Sequence, residues 1–180
     1  RKKDIQNGGQ GAPLVPVYHK AVFQDMVDKP FAIINIGGIS NITYIDEDSL
    51  LAFDVGPGNS LIDDGMRDIF NKDYDKNGQV ARSGKIDHNI INEIICDDFF
   101  KKLPPKSLDR NYFQKYLNLK YTNDNSKITT LTYLTAKSIV DSLSFLPKKP
   151  KSLIITGGGR KNNFIMQSMQ SLTDVEIVNV

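Results

Sequence analysis

Apolar positions along the chain follow a two-residue or unbroken pattern in some segments and a helical period in others. Short runs rich in Ile, Val and Phe, bounded by glycine, proline and polar residues, predict β-strands. The predicted strands cover residues 31–36, 41–45, 50–55, 152–156 and 175–180. The first two flank Gly37-Gly38, a pair that favours a hairpin turn.

The other periodic segments place apolar residues three or four positions apart, which predicts amphipathic helices. We expect Asn59 or Ser60 to cap the first, and Asp87 to cap a second that ends at Pro104-Pro105. The longest helix should cover about 127–146, and Asn162 or Asn163 should open the last one. The expected buried faces comprise Leu61, Ile62, Met66, Ile69 and Phe70, then Ile90, Ile91, Ile94, Ile95 and Phe99, then Leu131, Leu134, Ile139, Leu143 and Leu146. The order predicts an α/β fold with a mixed sheet, flanking helices and a helical insertion at about 71–125.

Composition narrows the function classes. The 180 residues are 39% hydrophobic, enough for a globular core, and 23 basic against 21 acidic residues give a net charge of +2. The basic clusters are short and not interleaved with aromatic residues, so we expect no nucleic-acid partner. A single cysteine gives no disulfide framework, and no apolar run approaches the length of a membrane span. We therefore predict a cytoplasmic protein without a membrane partner.

Four glycine-rich loops carry the candidate chemistry. Successive backbone N–H groups in such loops form concave anion sites, and phosphate is the anion that most often fills them. The loops are Gly8-Gly9-Gln10-Gly11, Gly37-Gly38 with Asn41, Gly56-Pro57-Gly58-Asn59, and Gly157-Gly158-Gly159 with Asn162. Together they predict a nucleotide-phosphate site, since each lies beside a predicted strand or helix start.

Judged singly, each feature has a plain structural interpretation. Gly37-Gly38 alone is more simply an ordinary hairpin, and Gly157 could equally be part of a strand-to-helix turn. Asp54 stands at a strand end where α/β folds bind ligands and could hold Mg²⁺ through water, but a helix-entry aspartate is as good an interpretation. Asp4 could act as a general base, although its local sequence favours a solvated acid beside Lys2 and Lys3.

Three other candidates are weak. The segment 73–78 matches the start of a calcium loop, but Gly84 stands where a bidentate glutamate is required. His19 and His88 have no helical partner at metal-ligand spacing. Cys96 follows two isoleucines, so we expect it in the core rather than as a nucleophile.

The loops also carry a resemblance to a known family. The strings are Asp4 followed by Gly8-Gly9-Gln10-Gly11-Ala12-Pro13, Asn35-Ile36-Gly37-Gly38-Ile39-Ser40-Asn41, Phe53-Asp54-Val55-Gly56-Pro57-Gly58-Asn59, Pro104-Pro105-Lys106-Ser107, and Gly157-Gly158-Gly159 with Asn162. In this order they resemble the anhydro-N-acetylmuramic acid kinases, which belong to the superfamily of sugar kinases, heat-shock ATPases and actin.

That resemblance implies two ribonuclease-H-like lobes around a cleft, of which residues 31–180 would be the second and 1–30 an inter-lobe segment. It implies ATP and Mg²⁺ as cofactors, and hydrolytic opening of 1,6-anhydro-N-acetylmuramic acid with phosphorylation of O6 during bacterial cell-wall recycling. Asp4 would be the base that activates water. The Gly37 hairpin would bind phosphate and the Gly157 turn would bind the adenosine side.

The resemblance further implies that Gly8, Gly9, Gln10, Gly11, Asp54, Gly56, Gly58, Asn59, Lys106 and Ser107 line the substrate cleft. Departures from the family pattern are Val55 for a usual Thr, Leu108-Asp109 for Thr-Gly, and Lys161 for a common His.

The chain starts at Arg1 and ends in a strand-like run, so we expect part of a longer protein. Its expected partner is the first lobe, with a homodimer as a further candidate, and we expect the isolated chain to be inactive. The alternative function is a non-catalytic remnant from a split or truncated reading frame.

Overall fold

The structure, a computed structural model, describes residues 28–179 and centres on one mixed sheet. The strands are β1 (Phe31–Ile36), β2 (Ile39–Ile45), β3 (Leu50–Pro57), β4 (Ser152–Thr156) and β5 (Glu176–Asn179). Their order across the sheet is β3-β2-β1-β4-β5. The first three strands pair antiparallel, whereas β1–β4 and β4–β5 pair parallel. The predicted α/β fold with a mixed sheet is confirmed.

The helices complete the fold. They are α1 (Asn59–Phe70), α2 (His88–Ile95), α3 (Asp98–Lys101), α4 (Asp124–Ser142) and α5 (Asn163–Leu172), with 3₁₀ turns at Lys76–Gly78, Gln114–Asn118, Leu143–Phe145 and Gly158–Lys161. Only short helices therefore lie between α1 and α4, in the segment predicted as a helical insertion. Within residues 28–179, no helix is both long and apolar enough to cross a bilayer.

Three local predictions were wrong. The second predicted helix does not continue to Pro104, because Asp97 accepts a hydrogen bond from the Phe99 N–H and starts α3 afresh. Helix α4 begins three residues earlier than predicted, since the Asn123 carboxamide accepts from Ser126 N–H at 2.8 Å. Cys96 is exposed rather than in the core, because it lies in the break between α2 and α3.

The main core lies between one face of the sheet and the helices. Alternate strand residues point to it, including Ile34, Ile42, Phe53 and Ile155, and α4 packs across them with Leu131, Leu134 and Ile139 buried as predicted. The intervening strand residues form a second apolar cluster on the opposite face, made of Phe31, Ile33, Ile45 and Ile154. The two faces of the sheet therefore carry different sets of side chains.

Helix α4 is buried along most of its length although it contains many hydroxyl residues. These hydroxyls donate to backbone carbonyls: Thr129 to Ala81 at 2.7 Å, and Thr132 to Ile128 at 2.7 Å. A buried hydroxyl that is hydrogen-bonded carries little penalty. The polar face of α4 can thus pass through the core and reach the loop before α1, where Thr135 donates to the Gly58 carbonyl at 3.5 Å.

Candidate functional site

Two of the predicted glycine loops, the β1–β2 turn and the start of α1, lie against each other. The carbonyl of Gly37 accepts from Asn59 N–H at 2.7 Å, and that of Gly38 accepts from the N–H groups of Gly58 and Ser60 at 3.1 and 3.2 Å. These bonds satisfy donors that a helix leaves free at its first turn. The hairpin tip therefore serves as the cap of α1.

Capping of α1 by the side chain of Asn59 or Ser60 was a wrong prediction. The cap residue is Gly58, and no side chain accepts a hydrogen bond there. Both side chains act as donors to the hairpin instead, Asn59 Nδ2 to the Ile36 carbonyl at 3.1 Å and Ser60 Oγ to the Gly38 carbonyl at 2.6 Å. A Cβ at Gly58 would overlap the Gly37 carbonyl, so the close contact requires glycine at this position.

The turn after β4 reaches the same place from the other side. Gly157 has φ of 82° and ψ of 177°, a conformation almost confined to glycine. A Cβ there would lie 2.6 Å from the Ile36 carbonyl oxygen and 2.7 Å from Asn35 Oδ1. Gly158 faces Asn59, whose Nδ2 would lie 3.6 Å from an added Cβ. Three predicted loops are thus brought together around Asn59.

A cavity of about 700 Å³ opens beside this junction. It is walled by α1, by the 73–77 loop and by the β4–α5 turn. The lining residues are Asn59, Ile62, Asp63, Arg67, Asp73, Tyr74, Asp75, Lys76, Asn77, Gly158, Lys161 and Asn162. Its volume lies in the range of ligand and cofactor pockets. The mixture of amide, carboxylate and basic groups suits a polar ligand with an apolar part against Ile62.

Asp63 is the group in this cavity with the most perturbed ionisation. Burial raises the pKa of its carboxyl to about 6, against the lowering effect of the Arg67 guanidinium one turn later. Sequence reasoning missed both residues, although their spacing on α1 places them on one helix face with Asn59. A half-buried carboxylate in a cavity can accept a hydrogen bond from a donor group of a bound ligand.

The rear wall of the cavity is fixed by Asn162 and Asp75. Asn162 Oδ1 accepts from Phe164 and Ile165 N–H at 3.0 and 3.2 Å and so caps α5, as predicted. Asp75 accepts from Val80 and Ala81 N–H, both at 2.9 Å. Both side-chain acceptors are committed to the backbone. The nucleotide contact of Asn162 therefore stays a prediction, and it would be made by the side-chain Nδ2.

Asp54 forms hydrogen bonds that hold the segment of Lys106 and Leu108 against the edge of the sheet. Its N–H donates to the Lys106 carbonyl at 3.0 Å, and its Oδ2 accepts from Leu108 N–H at 2.8 Å. Burial raises the pKa of this carboxyl, and the Leu108 bond opposes that rise. Oδ1 remains as an oxygen ligand suited to a hard cation. No group of three or more His, Cys, Asp or Glu in residues 28–179 is arranged for metal binding.

The Lys106 side chain points into the protein interior, and its predicted place in the substrate cleft stays a prediction. The side chain is buried, with Nζ 4.3 Å from the ring centre of Phe145 and 4.7 Å from that of Phe99, and it donates to the Phe99 carbonyl at 3.3 Å. Burial lowers the pKa of this amine. The long apolar stem and the aromatic neighbours explain the inward position. Ser107, the next residue, is exposed.

The remaining predicted site residues lie outside the described part of the chain. They are Asp4, Gly8, Gly9, Gln10 and Gly11, and the general-base and cleft roles assigned to them stay predictions. Gly56 is described: a Cβ there would lie 2.5 Å from Ser138 Oγ, so it permits α4 to approach β3.

The family profile for anhydro-N-acetylmuramic acid kinase matches residues 1–179. The chain belongs to this family. The Zymomonas mobilis kinase is 43% identical over 173 residues, which cover 94% of this chain and 46% of the relative. The Rhodopseudomonas palustris kinase is 46% identical over 172 residues, covering 94% and 47%. The Methylorubrum extorquens kinase is 40% identical over 181 residues, covering 99% and 48%. The chain thus spans about half the length of the curated relatives it matches.

Two solved structures share the fold. Xylulose kinase from Lactobacillus acidophilus superposes with a TM-score of 0.57 at 17% identity, covering 90% of this chain and 37% of that one. The activator of 2-hydroxyisocaproyl-CoA dehydratase from Clostridium difficile, with bound ADPNP, gives 0.53 at 14% identity, covering 88% and 56%. This member of the family therefore shares its fold with a sugar kinase and with an ADPNP-binding activator.

Proposed function

We propose that this chain is the second lobe of an anhydro-N-acetylmuramic acid kinase and works joined to the first lobe in the bacterial cytoplasm. The reaction would open 1,6-anhydro-N-acetylmuramic acid with water and transfer a phosphoryl group from ATP to O6, giving N-acetylmuramic acid 6-phosphate. The observation that carries the proposal is the match of the kinase family to residues 1–179. The convergence of three glycine turns on a nucleotide-sized cavity supports it.

The nucleotide would use the cavity and the adjoining turns. Its nucleoside would lie between α1 and the β4–α5 turn, in contact with Gly158 and Asn162, and its phosphates would extend toward Gly37 and Gly38. The N–H groups of Gly37, Gly58, Asn59 and Ser60 are taken up by hairpin carbonyls, so phosphate would meet other N–H groups of the two turns. The bound ADPNP in the Clostridium difficile activator is consistent with nucleotide binding by this fold.

The hydrolytic step is assigned to Asp4, on the strength of the family resemblance. Asp4 would take a proton from water as the water oxygen bonds to C1 of the sugar, with the C1–O6 bond breaking. O6 would then attack the γ-phosphorus of ATP, and ADP would leave with the electron pair of the broken bond. Phosphoryl transfer of this kind depends mainly on positioning and on charge stabilisation.

Mg²⁺ would neutralise charge on the ATP phosphates. Among residues 28–179, we assign the Asp54 carboxylate to this ion, with a water molecule between the carboxylate and the ion. The fit rests on the Asp54 carboxyl, which is half-buried and uses only Oδ2 toward Leu108 N–H. Mg²⁺ sites in phosphoryl-transfer proteins commonly take one or two carboxylates together with water and phosphate oxygens.

The test expresses this chain together with a first lobe, from its own gene or from the Rhodopseudomonas palustris relative, and supplies ATP, Mg²⁺ and the anhydro sugar. Mass spectrometry should find N-acetylmuramic acid 6-phosphate with the unmodified chain and a loss of at least about 1,000-fold with Asp4→Asn. A folded, nucleotide-binding assembly without turnover would favour the non-catalytic remnant. Unchanged turnover in Asp4→Asn would refute the general-base role.

A further inference from the structure

Four polar residues form a row across four neighbouring strands, at the end of the sheet that carries the glycine turns. Asp54 of β3 pairs with Asn41 of β2, and Asn41 pairs with Asn35 of β1. Asn35 in turn pairs with Thr156 of β4. We call these four residues the polar row. Directly paired residues on adjacent strands lie side by side on one face, so the row is continuous.

The polar row lies on the sheet face opposite the helices. Each member alternates with residues of the main core, such as Ile34 and Ile36 beside Asn35, and Ile42 beside Asn41. The row follows the apolar cluster of Phe31, Ile33, Ile45 and Ile154 on the same face. This face therefore changes from apolar to polar as it approaches the glycine turns, a pattern that strand packing alone does not require.

The carboxamides of the row have hydrogen-bonding capacity that residues 28–179 do not use. Within residues 28–179, no hydrogen bond reaches the side chain of Asn35 or Asn41, although both residues are partly buried. Thr156 Oγ1 donates to the Ile34 carbonyl at 3.2 Å, which leaves its oxygen as an acceptor. Partly buried amides without partners are costly unless another molecule supplies them. The row thus presents donors and acceptors suited to a polar ligand.

The chemistry of the row favours the uncharged polar groups of a ligand. It contains no lysine or arginine that could pair with an anionic group, and three of its four members are carboxamide or hydroxyl residues. Carboxamides and a threonine hydroxyl both donate and accept, which matches sugar hydroxyl and acetamido groups.

The row also has a defined place relative to the nucleotide cavity. Asn35 Oδ1 lies 2.7 Å from the Cβ position at Gly157, while Gly158 lines the cavity. A nucleotide whose phosphates pass the turns would direct its terminal phosphate toward the row.

We propose that the polar row binds the hydroxyl and acetamido groups of the acceptor sugar, with Asn35 and Asn41 as specificity-determining residues. This inference rests on the proposed function and deepens it. It moves Asn41 from the phosphate contact predicted from sequence to the acceptor, and it adds Asn35 and Thr156, which the motifs alone did not single out. Asp54, at the edge of the row, keeps its proposed assignment to Mg²⁺ and is not assigned to the sugar.

The test compares Asn35→Ala, Asn41→Ala and the milder Asn41→Ser in the assembled two-lobe protein. Ser152→Ala is the matched control: Ser152 lies on the same sheet face at the far end of β4, and its hydroxyl has no hydrogen-bond partner in the described part of the chain. Ligand-observed NMR measures affinity for 1,6-anhydro-N-acetylmuramic acid and, separately, for ADP. Thermal melts exclude variants that do not fold.

Each alanine variant should weaken sugar binding by about tenfold, the effect of one or two lost hydrogen bonds, and change ADP affinity by less than about twofold, and Asn41→Ser should lose less sugar affinity than Asn41→Ala. The control should change neither. Unchanged sugar affinity in both alanine variants, equal losses of sugar and ADP affinity, or no sugar binding by the unmodified protein would each overturn the proposal. Sugar binding without turnover would refute the proposed kinase function and leave the row supported.

Discussion

Replacement of Gly157 by alanine should destabilise the protein, whereas the same replacement at Gly158 should not. At φ of 82° and ψ of 177°, an alanine at position 157 carries a backbone penalty of about 1–3 kcal/mol. Its Cβ would also lie 2.6 Å from the Ile36 carbonyl oxygen and 2.8 Å from the carbonyl carbon, both backbone atoms that cannot move freely. Overpacking of this kind costs about a further 1–3 kcal/mol.

Together these effects predict a loss of about 2–6 kcal/mol in the free energy of unfolding. For a chain of this size, each kcal/mol shifts Tm by about 2–4 °C, so Tm should fall by about 4–24 °C. Urea denaturation gives the free energy directly, and the m-value checks that the unfolding transition stays two-state.

Gly158→Ala is the control for this prediction. A Cβ at position 158 has Asn59 Nδ2 at 3.6 Å as its nearest neighbour, which is an ordinary contact. Its unfolding free energy should stay within about 0.5 kcal/mol of the unmodified chain. A Gly157→Ala protein as stable as the Gly158→Ala protein would refute the account of how the β4–α5 turn packs against the end of β1.

Three further predictions concern ionisable groups. Asp97 accepts from Lys115, Tyr116, Tyr112 and Phe99 N–H, and these bonds outweigh burial and hold the pKa of its carboxyl well below the usual range. The ionised Asp97 carboxylate therefore stabilises the folded protein above about pH 4, and this stabilisation is lost as pH falls further. Asp97→Asn should lower the free energy of unfolding by about 1–3 kcal/mol at pH 7 and by less in acid. Urea denaturation of both proteins from pH 7 to 2.5 measures this. Burial raises the pKa of Asp63 to about 6, so its effect on stability is most favourable below about pH 4 and is lost as pH rises through 6. Asp63→Asn should therefore stabilise the protein by about 1–2 kcal/mol at pH 7.5, after discounting for partial solvent exposure, and not at pH 3.5; equal effects at both pH values would contradict this. Lys106→Met keeps the packing of the side-chain stem and removes a buried ammonium, so the free energy of unfolding should change by less than about 1 kcal/mol. Lys106→Ala also removes the stem and should lose about 2–4 kcal/mol. Equal losses in both variants would show that the charge itself is essential.

Much of the fold could be predicted from local sequence. The Gly37-Gly38 hairpin, the strand that ends at Thr156 and the α5 cap at Asn162 follow from β-rich runs, turn residues and an N-cap signal, and all are present. The break between α2 and α3 could not be predicted as easily, because Asp97 lies inside an otherwise continuous apolar period and its capping role depends on the chain turning there.

The site was predicted less completely than the fold. The glycines could be found because backbone contact at Gly58 and Gly157 excludes a Cβ, a constraint visible as residue type. Asn59 was expected as a cap and instead donates to Ile36, since hairpin carbonyls supply the cap from a distant part of the chain. The inward side chain of Lys106 likewise depends on Phe145, which is remote in sequence. The contacts of Asn59 and Lys106 depend on residues that are distant along the chain, and a pattern in a single sequence does not show which distant residues come together.

The most direct test of the central claim is an amide NMR titration of this chain with ADP and Mg²⁺. We expect saturable shifts confined to the glycine turns and the cavity walls, above all at Gly37, Gly38, Asn59, Asn77 and Gly158. The second cavity, of about 520 Å³ near Lys85 and Asn123, provides an internal control whose amides should not move. Shifts centred on that second cavity, or no shifts up to the solubility limit of ADP, would contradict the assignment of the glycine turns to nucleotide binding.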